Sequence, residues 1–353
     1  MPPARLNCAL LGLTHPHSGA LLQTLTNLPE IGRVSLWEDA PGAGRSPAIP
    51  ASRKVALVTR DAEAALAACD FAIVCVRNDR AAALAHRVLA AGRHLLAEKP
   101  GGLTAAEIAG VKRAADRAGL LASVLYARRA HPLVAAARDI LASGALGPLL
   151  SLEARFLTTQ VRFRDPRSWL FRRRLAGGGI LSWLGCHCID LLQYVPADRI
   201  TAVSACAARR SGERIDVEDS AALALRFASG AVGTLHVGYT LAFSGGGYLN
   251  PAGNDAYFAC NGREGRVVWP VLTDPRLRIE SPGRRPIRER TFRLRATSSY
   301  GGVSGERFLR QYAQALCGRA ALPATLADAV STARVIEAAY ASSRTGRTVA
   351  VRA

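Results

Sequence analysis

The chain has 353 residues, 49% of them hydrophobic and 21% charged, which is enough for two domains with a large buried core and excludes a disordered chain. Its formal charge of +19 comes almost wholly from scattered arginine, since Lys54, Lys99 and Lys112 are the only lysines; with no nucleic-acid motif present, a nucleic-acid partner is set aside. No apolar run is expected to span a membrane, and Met1-Pro2-Pro3-Ala4-Arg5 lacks a signal-peptide pattern, so a cytoplasmic location and no membrane partner are expected.

Leu6–Leu11 is a short apolar run ending at Gly12 and reads as a buried parallel strand, with a helix through about Leu28 behind Pro16. Val34–Trp37, closing on Glu38-Asp39, is a second strand. Phe71–Val76 is a third, followed by a helix over Ala81–Ala91. His94–Ala97 leads into Glu98-Lys99-Pro100, and Thr104 with Glu107 forms a capping box for the next helix. Leu121–Leu125 is one more strand. This alternation predicts an α/β fold: a doubly wound parallel sheet of Rossmann type over residues 1–125.

From residue 126 to 353 the pattern changes to α+β. A helix is expected over Leu133–Leu141 and a half-buried strand over Leu149–Leu157. A helix follows Gly179. Strands are expected over Ile200–Ala207, Ala221–Phe227, Ala231–Tyr239, Ala256–Cys260 and Arg266–Trp269, forming a largely antiparallel open sheet. Two helices close the chain, near Glu306–Cys317 and Leu326–Ser342.

A lysine at the carboxyl end of a parallel strand sits where open α/β sheets bind ligands, which singles out Lys99. Lysine and histidine are suited to moving a proton near neutral pH, and His187, in Gly185-x-His187-x-x-Asp190, is the matching histidine of the second domain. Asp190 lies three residues on, where it can orient the imidazole or cap a buried network. Gly12-Leu13-Thr14-His15-Pro16-His17 stands where a dinucleotide fingerprint would be, yet only its first glycine is present. Its place after the first strand makes Gly12, Thr14, His15 and His17 candidates for cofactor binding. Glu38, at the end of the second strand, would accept from a ribose diol and repel a 2′-phosphate, favouring NAD over NADP.

Trp183 precedes His187 by one helical turn and is expected to border the same pocket, offering an indole face to a sugar ring. Six arginines between Arg162 and Arg174 read as a solvated basic loop, with an anionic substrate as the alternative. The eight cysteines show no zinc spacing. Adjacent residues Cys186-His187-Cys188 cannot converge on one ion from a helix, so no metal site is expected and the thiols are expected to be reduced.

These motifs, with Tyr126-Ala127-Arg128-Arg129, Gly177-Gly178-Gly179, Glu218-Asp219, Gly262-x-x-Gly265 and the tail Thr345-Gly346-Arg347, together resemble the Gfo/Idh/MocA family of oxidoreductases. The resemblance runs along nearly the whole chain. It implies NAD(P)-dependent oxidation or reduction of a sugar, cyclitol or related polyol, with Lys99 on the reacting oxygen and His187 as acid or base. It also implies cofactor contacts from Glu98 and Asn78, substrate contacts from Tyr126, Arg128 and Trp169, and a homo-oligomer formed through the second domain's sheet. The chain departs from the family where Trp183 replaces the usual aspartate and where Val76-Arg77-Asn78 replaces threonine-proline-asparagine. Two further readings accompany this one: an NAD-recycling glycoside lyase or hydrolase working by transient oxidation and β-elimination, and a non-catalytic dinucleotide or sugar sensor.

Overall fold

The computed structural model describes residues 5–39, 52–242, 254–270, 275–282 and 287–352. The chain divides into two compact units, residues 1–130 with 296–330 and residues 131–295 with 331–353. The expected boundary at 125/126 lies close to the first crossing. The return of 296–330 to the first unit is a finding that the expected boundaries did not contain.

The first unit holds β1 (Leu6–Leu11), α1 (Ser18–Asn27), β2 (Ile31–Trp37), β3 (Val55–Thr59), α2 (Ala62–Leu66), β4 (Phe71–Val74), α3 (Asn78–Ala90), β5 (His94–Ala97), α4 (Ala105–Ala118) and β6 (Ala122–Val124). Its strands are all parallel, in the order β3-β2-β1-β4-β5-β6. Leu10, Leu11, Ile73, Leu95 and Leu96 are wholly buried, because helices cover both faces of such a sheet. Thr104 caps α4 by accepting from the Glu107 N–H at 3.2 Å; the Glu107 carboxylate reaches back to the Leu103 N–H at 2.8 Å, one residue earlier than a standard capping box. Gly119, at φ +63°, ends that helix in the left-handed conformation.

The second unit begins with α5 (Pro132–Ala142) and β7 (Leu149–Thr159), followed by α6 (Arg173–Ala176). A π-helical turn over Leu181–Gly185 runs into α7 (Cys186–Tyr194). Then come β8 (Ile200–Ala208), β9 (Ser220–Phe227), β10 (Val232–Leu241), β11 (Asp255–Gly262), β12 (Arg266–Trp269), β13 (Arg276–Glu280) and β14 (Ile287–Thr291). Residues 296–330 carry α8 (Val303–Leu316) and the start of α9 (Leu326–Thr345), within which the unit boundary falls; β15 (Val349–Ala350) closes the chain. The sheet runs β14-β13-β12-β11-β7-β10-β9-β8-β15, antiparallel throughout the described residues except for the β7–β10 pair. β9 and β10 alternate buried with open positions, so one face packs on a core that includes α7 and the other does not.

The segment Arg173–Tyr194 corrects the expectation that nothing is long and apolar enough to cross a membrane. It has that length and apolarity over 22 residues, yet 78% of its apolar window is buried inside the fold, as for a core helix. Its glycine run is explained by packing. A Cβ on Gly179 would lie 1.9 Å from the Glu218 carbonyl oxygen, and one on Gly178 would lie 1.9 Å from the Tyr340 hydroxyl. The buried Glu218 carboxylate accepts from the N–H groups of Gly179 and Leu181 at 2.9–3.0 Å and from the Tyr340 hydroxyl at 2.9 Å.

Glu218→Gln replaces one of those acceptor oxygens with a donor that faces N–H groups. It is expected to destabilise the protein by about 1–3 kcal/mol, the cost of leaving a buried polar group unsatisfied. Urea denaturation of the two proteins measures the difference.

Candidate functional site

The carboxyl ends of β1, β4 and β5 bring three chain segments together within the first unit. Gly12 turns the chain out of β1 at φ +104°; a Cβ there would lie 2.3 Å from the Cys75 carbonyl oxygen, so the turn after β1 and the end of β4 meet only with glycine at this position. Ser18, the first residue of α1, donates from its hydroxyl to the Gly12 carbonyl at 2.8 Å and so braces the turn. His17 precedes α1 with an ordinary right-handed conformation, φ −93°, where the fingerprint would have its third glycine.

The residue that engages this turn is Asp39. Its carboxylate accepts from the N–H groups of Leu13 at 3.0 Å and Thr14 at 3.1 Å, and from the Thr14 hydroxyl at 2.6 Å. Glu38, one residue earlier, projects toward Arg60 at 3.8 Å and is partly exposed. Asp39, not Glu38, is the acidic residue bonded to the turn. Arg80 of α3 lies 3.9 Å from Asp39 and over the Trp37 ring at 5.7 Å. Asn78 is buried at the first residue of α3, just after Arg77, which forms a bidentate ion pair with Asp79.

Past the turn lies a buried polar cluster. The His17 imidazole contacts the Glu98 carboxylate through Nδ1, and the same carboxylate oxygen accepts from the Tyr300 hydroxyl at 3.0 Å. Tyr300 comes from the returning segment, anchored by its N–H to the Thr24 hydroxyl at 2.9 Å. His15 Nδ1 accepts from the His17 N–H at 3.2 Å, and the two rings meet edge to face at 4.9 Å. Lys99 is 1% exposed beside them, and its peptide bond to Pro100 is cis. Burial pushes the His15 imidazole well below its usual range, and the nearby charges of His17 and Lys99 push it in the same direction. Burial also lowers His17, against the opposing pull of Glu98. Both rings are thus neutral at pH 7, held beside a carboxylate and a lysine. The expected cofactor residues Gly12, Thr14, His15, His17, Asn78, Glu98 and Lys99 all belong to this unit. Tyr300 was missed because it lies some 200 residues beyond Lys99; the Tyr300-Gly301-Gly302 run ahead of α8 was its one sequence signal.

These residues fit a dinucleotide. The glycine turn brings the backbone against the end of β4 and α1 starts without a side-chain cap, as a dinucleotide site needs, while the Leu13 and Thr14 N–H groups are held by Asp39 in this structure. Tyr126 is fully buried, with Arg129 above its ring at 5.9 Å, and Arg128 is half-buried. Arg129 itself is committed to Asp328 at 3.1 Å.

In the second unit His187 and Asp190 are buried on α7, within the apolar core that surrounds it. Trp169 and Trp183 lie in that core, edge to face at 6.1 Å. Trp183 is 9% exposed, close to the 6% of His187 one turn on. The arginine cluster is largely spent locally. Arg164 donates to the Thr159 carbonyl and the Thr158 hydroxyl, each at 3.1 Å, and Arg172 donates to the Arg214 carbonyl at 2.8 Å.

Comparison with known proteins agrees with this geometry. Residues 22–126 match the profile described as an oxidoreductase family with an NAD-binding Rossmann fold, and residues 134–268 match the Gfo/Idh/MocA C-terminal domain. Levoglucosan dehydrogenase of Pseudarthrobacter phenanthrenivorans is 28% identical over 204 residues, which is 51% of this chain and 50% of that protein, so the match spans half the length of that relative. Inositol 2-dehydrogenase 2 of Saccharopolyspora erythraea is 26% identical over 98% of this chain and 94% of its own. A solved levoglucosan dehydrogenase, in complex with NADH and levoglucosan, superposes with a TM-score of 0.85 at 22% identity, covering 99% of this chain and 100% of that one; at that identity the likeness is one of fold.

The depressed His15 pKa has a consequence for stability. Its unfolded imidazole takes up a proton near pH 6.5 while the folded one resists, so stability falls as pH drops below about 6.5. Thermal melts at about pH 7.5 and about pH 5.5 are expected to show this loss, and His15→Asn is expected to shrink it.

Proposed function

The chain belongs to the Gfo/Idh/MocA family of oxidoreductases with an NAD-binding Rossmann fold, and on that footing we propose that it oxidises or reduces a sugar, cyclitol or related polyol, with Lys99 and His187 handling the proton. The observation that carries this reading is Lys99 itself, buried at the carboxyl end of β5 beside two neutral imidazoles and a carboxylate. A lysine removed from water in that place serves a reacting oxygen better than it serves solubility.

NAD, when bound, takes or returns the electron pair. The turn at Gly12–Thr14 and the start of α1 would hold it, and the acidic pair Glu38-Asp39 at the end of β2 would disfavour a 2′-phosphate. Glu98 accepts from Tyr300 and pairs with His17, which fixes the wall against which Lys99 stands. Lys99 donates a hydrogen bond to the substrate oxygen as that oxygen gains or loses its proton, and His187 is the acid or base of the second unit. The full-length match to an inositol dehydrogenase and the partial match to a levoglucosan dehydrogenase support a polyhydroxylated substrate.

Lys99→Ala and His187→Ala are each expected to lower turnover about 10²-fold or more, with a much smaller effect on NAD affinity. The assay is NADH formation over a panel of sugars, cyclitols and their glycosides. No turnover of any polyol, or aglycone release without net NADH, would replace this reading with the sensor or the recycled-cofactor enzyme.

A homo-oligomer through the second unit's sheet belongs to the same proposal. The face away from the core carries small or slender side chains such as Ser204, Ala222, Ala224 and Thr234, which a second copy could cover closely. Light scattering of the parent is expected to give a mass above one chain, and Thr234→Arg is expected to lower it toward one chain.

A further inference from the structure

We propose that His15, His17 and Glu98 form a binding site for a divalent transition-metal ion of the zinc class. Their candidate ligand atoms all lie within 4.8 Å of one another. Donors that each stand about 2.0–2.2 Å from one ion are at most about 4.4 Å apart, so a small rotation of these side chains would bring all three onto a shared ion. Two imidazoles and one carboxylate suit zinc and its transition-metal neighbours, whereas calcium and magnesium prefer oxygen donors alone. Among the described residues this is the one such group of His, Cys, Asp and Glu side chains.

The cluster has the attributes of a built site. Glu98 is 4% exposed, and its Oε2 has no hydrogen-bond partner among the described residues; a buried, unsatisfied carboxylate oxygen is costly, and an ion would satisfy it. The His17 N–H occupies His15 Nδ1, so Nε2 is the atom that His15 would give to a metal. Tyr300 donates to the other Glu98 oxygen and is itself anchored on Thr24, an outer layer of the kind that orients ligands around an ion. The Lys99 charge acts on both rings and opposes a cation, while the Glu98 charge offsets it. Three protein donors leave a coordination position open to an oxygen ligand, from water or from a hydroxyl of a bound polyol. Positions 15, 17 and 98 are too far apart in sequence for spacing to announce such a site. It stands whether or not the redox reading above is right, because its test reads metal and not turnover.

The test is a titration of tag-free protein, first stripped with a chelator, with Co²⁺, followed by its visible ligand-field absorption and then by displacement with Zn²⁺. One ion per chain is expected. His15→Ala and His17→Ala are each expected to weaken binding more than about tenfold, the least that loss of even an outer partner costs. His86→Ala, which removes an exposed histidine of α3, is expected to leave it unchanged. Circular dichroism confirms folding. If His17→Ala does not fold, His17→Gln keeps a hydrogen-bonding side chain beside Glu98 and takes its place. Absence of a ligand-field band in the parent, or a band retained in the His15→Ala, His17→Ala double variant, overturns the proposal.

Discussion

One buried carboxylate organises the first unit. Glu98 follows the last residue of β5, where its N–H still bonds to the Val74 carbonyl of β4 at 2.9 Å, so its backbone belongs to the sheet. Its side chain then gathers His17 from the turn after β1 and Tyr300 from the returning segment. A carboxylate in such a place is stable only when donors surround it. The chain supplies them from stretches more than 200 residues apart, and Lys99 inherits its fixed position from that arrangement. The chemistry of the site thus follows from a packing requirement at the end of a strand.

The second unit repeats the device. Glu218 gathers the N–H groups of Gly179 and Leu181 and the hydroxyl of Tyr340, and the glycines let the backbone come close enough for those bonds. His187 lies on the helix that this junction launches. Lys99 follows Glu98 directly, and His187 lies six residues beyond Leu181, whose N–H donates to Glu218.

Much of this was legible in the sequence. Buried parallel strands are short apolar runs, and β1, β2, β4, β5 and β6 could be read from them because helices cover both faces. β3 escaped because it is an edge strand whose side chains are mostly open, and β13 and β14 escaped because they are rich in arginine. Lys99, His15, His17 and Glu98 were legible from their position after strands. Their mutual contacts were not, since only the fold brings residues 17, 98 and 300 together. The bonds of Asp39 to the turn were not legible, because the end of β2 cannot be placed to one residue from pattern alone. The spacing of Trp183 from His187 was legible as well; its edge-to-face packing on Trp169, 14 residues earlier, was not.

The unit boundary inside α9 bears on how the protein is made. Residues 296–330 return to the first unit, where Tyr312 lies against Phe71 with ring centroids 5.4 Å apart and the Ala324 carbonyl accepts from the Ser123 hydroxyl at 2.7 Å. A ribosome that has released only residues 1–130 has exposed most of the parallel sheet, but neither the ring that covers Phe71 nor the hydroxyl that holds Glu98. Translation must pass residue 330 before the amino-terminal half can close. The second unit's strands emerge meanwhile, so the order of synthesis and the order of completion are reversed for the half that carries Lys99.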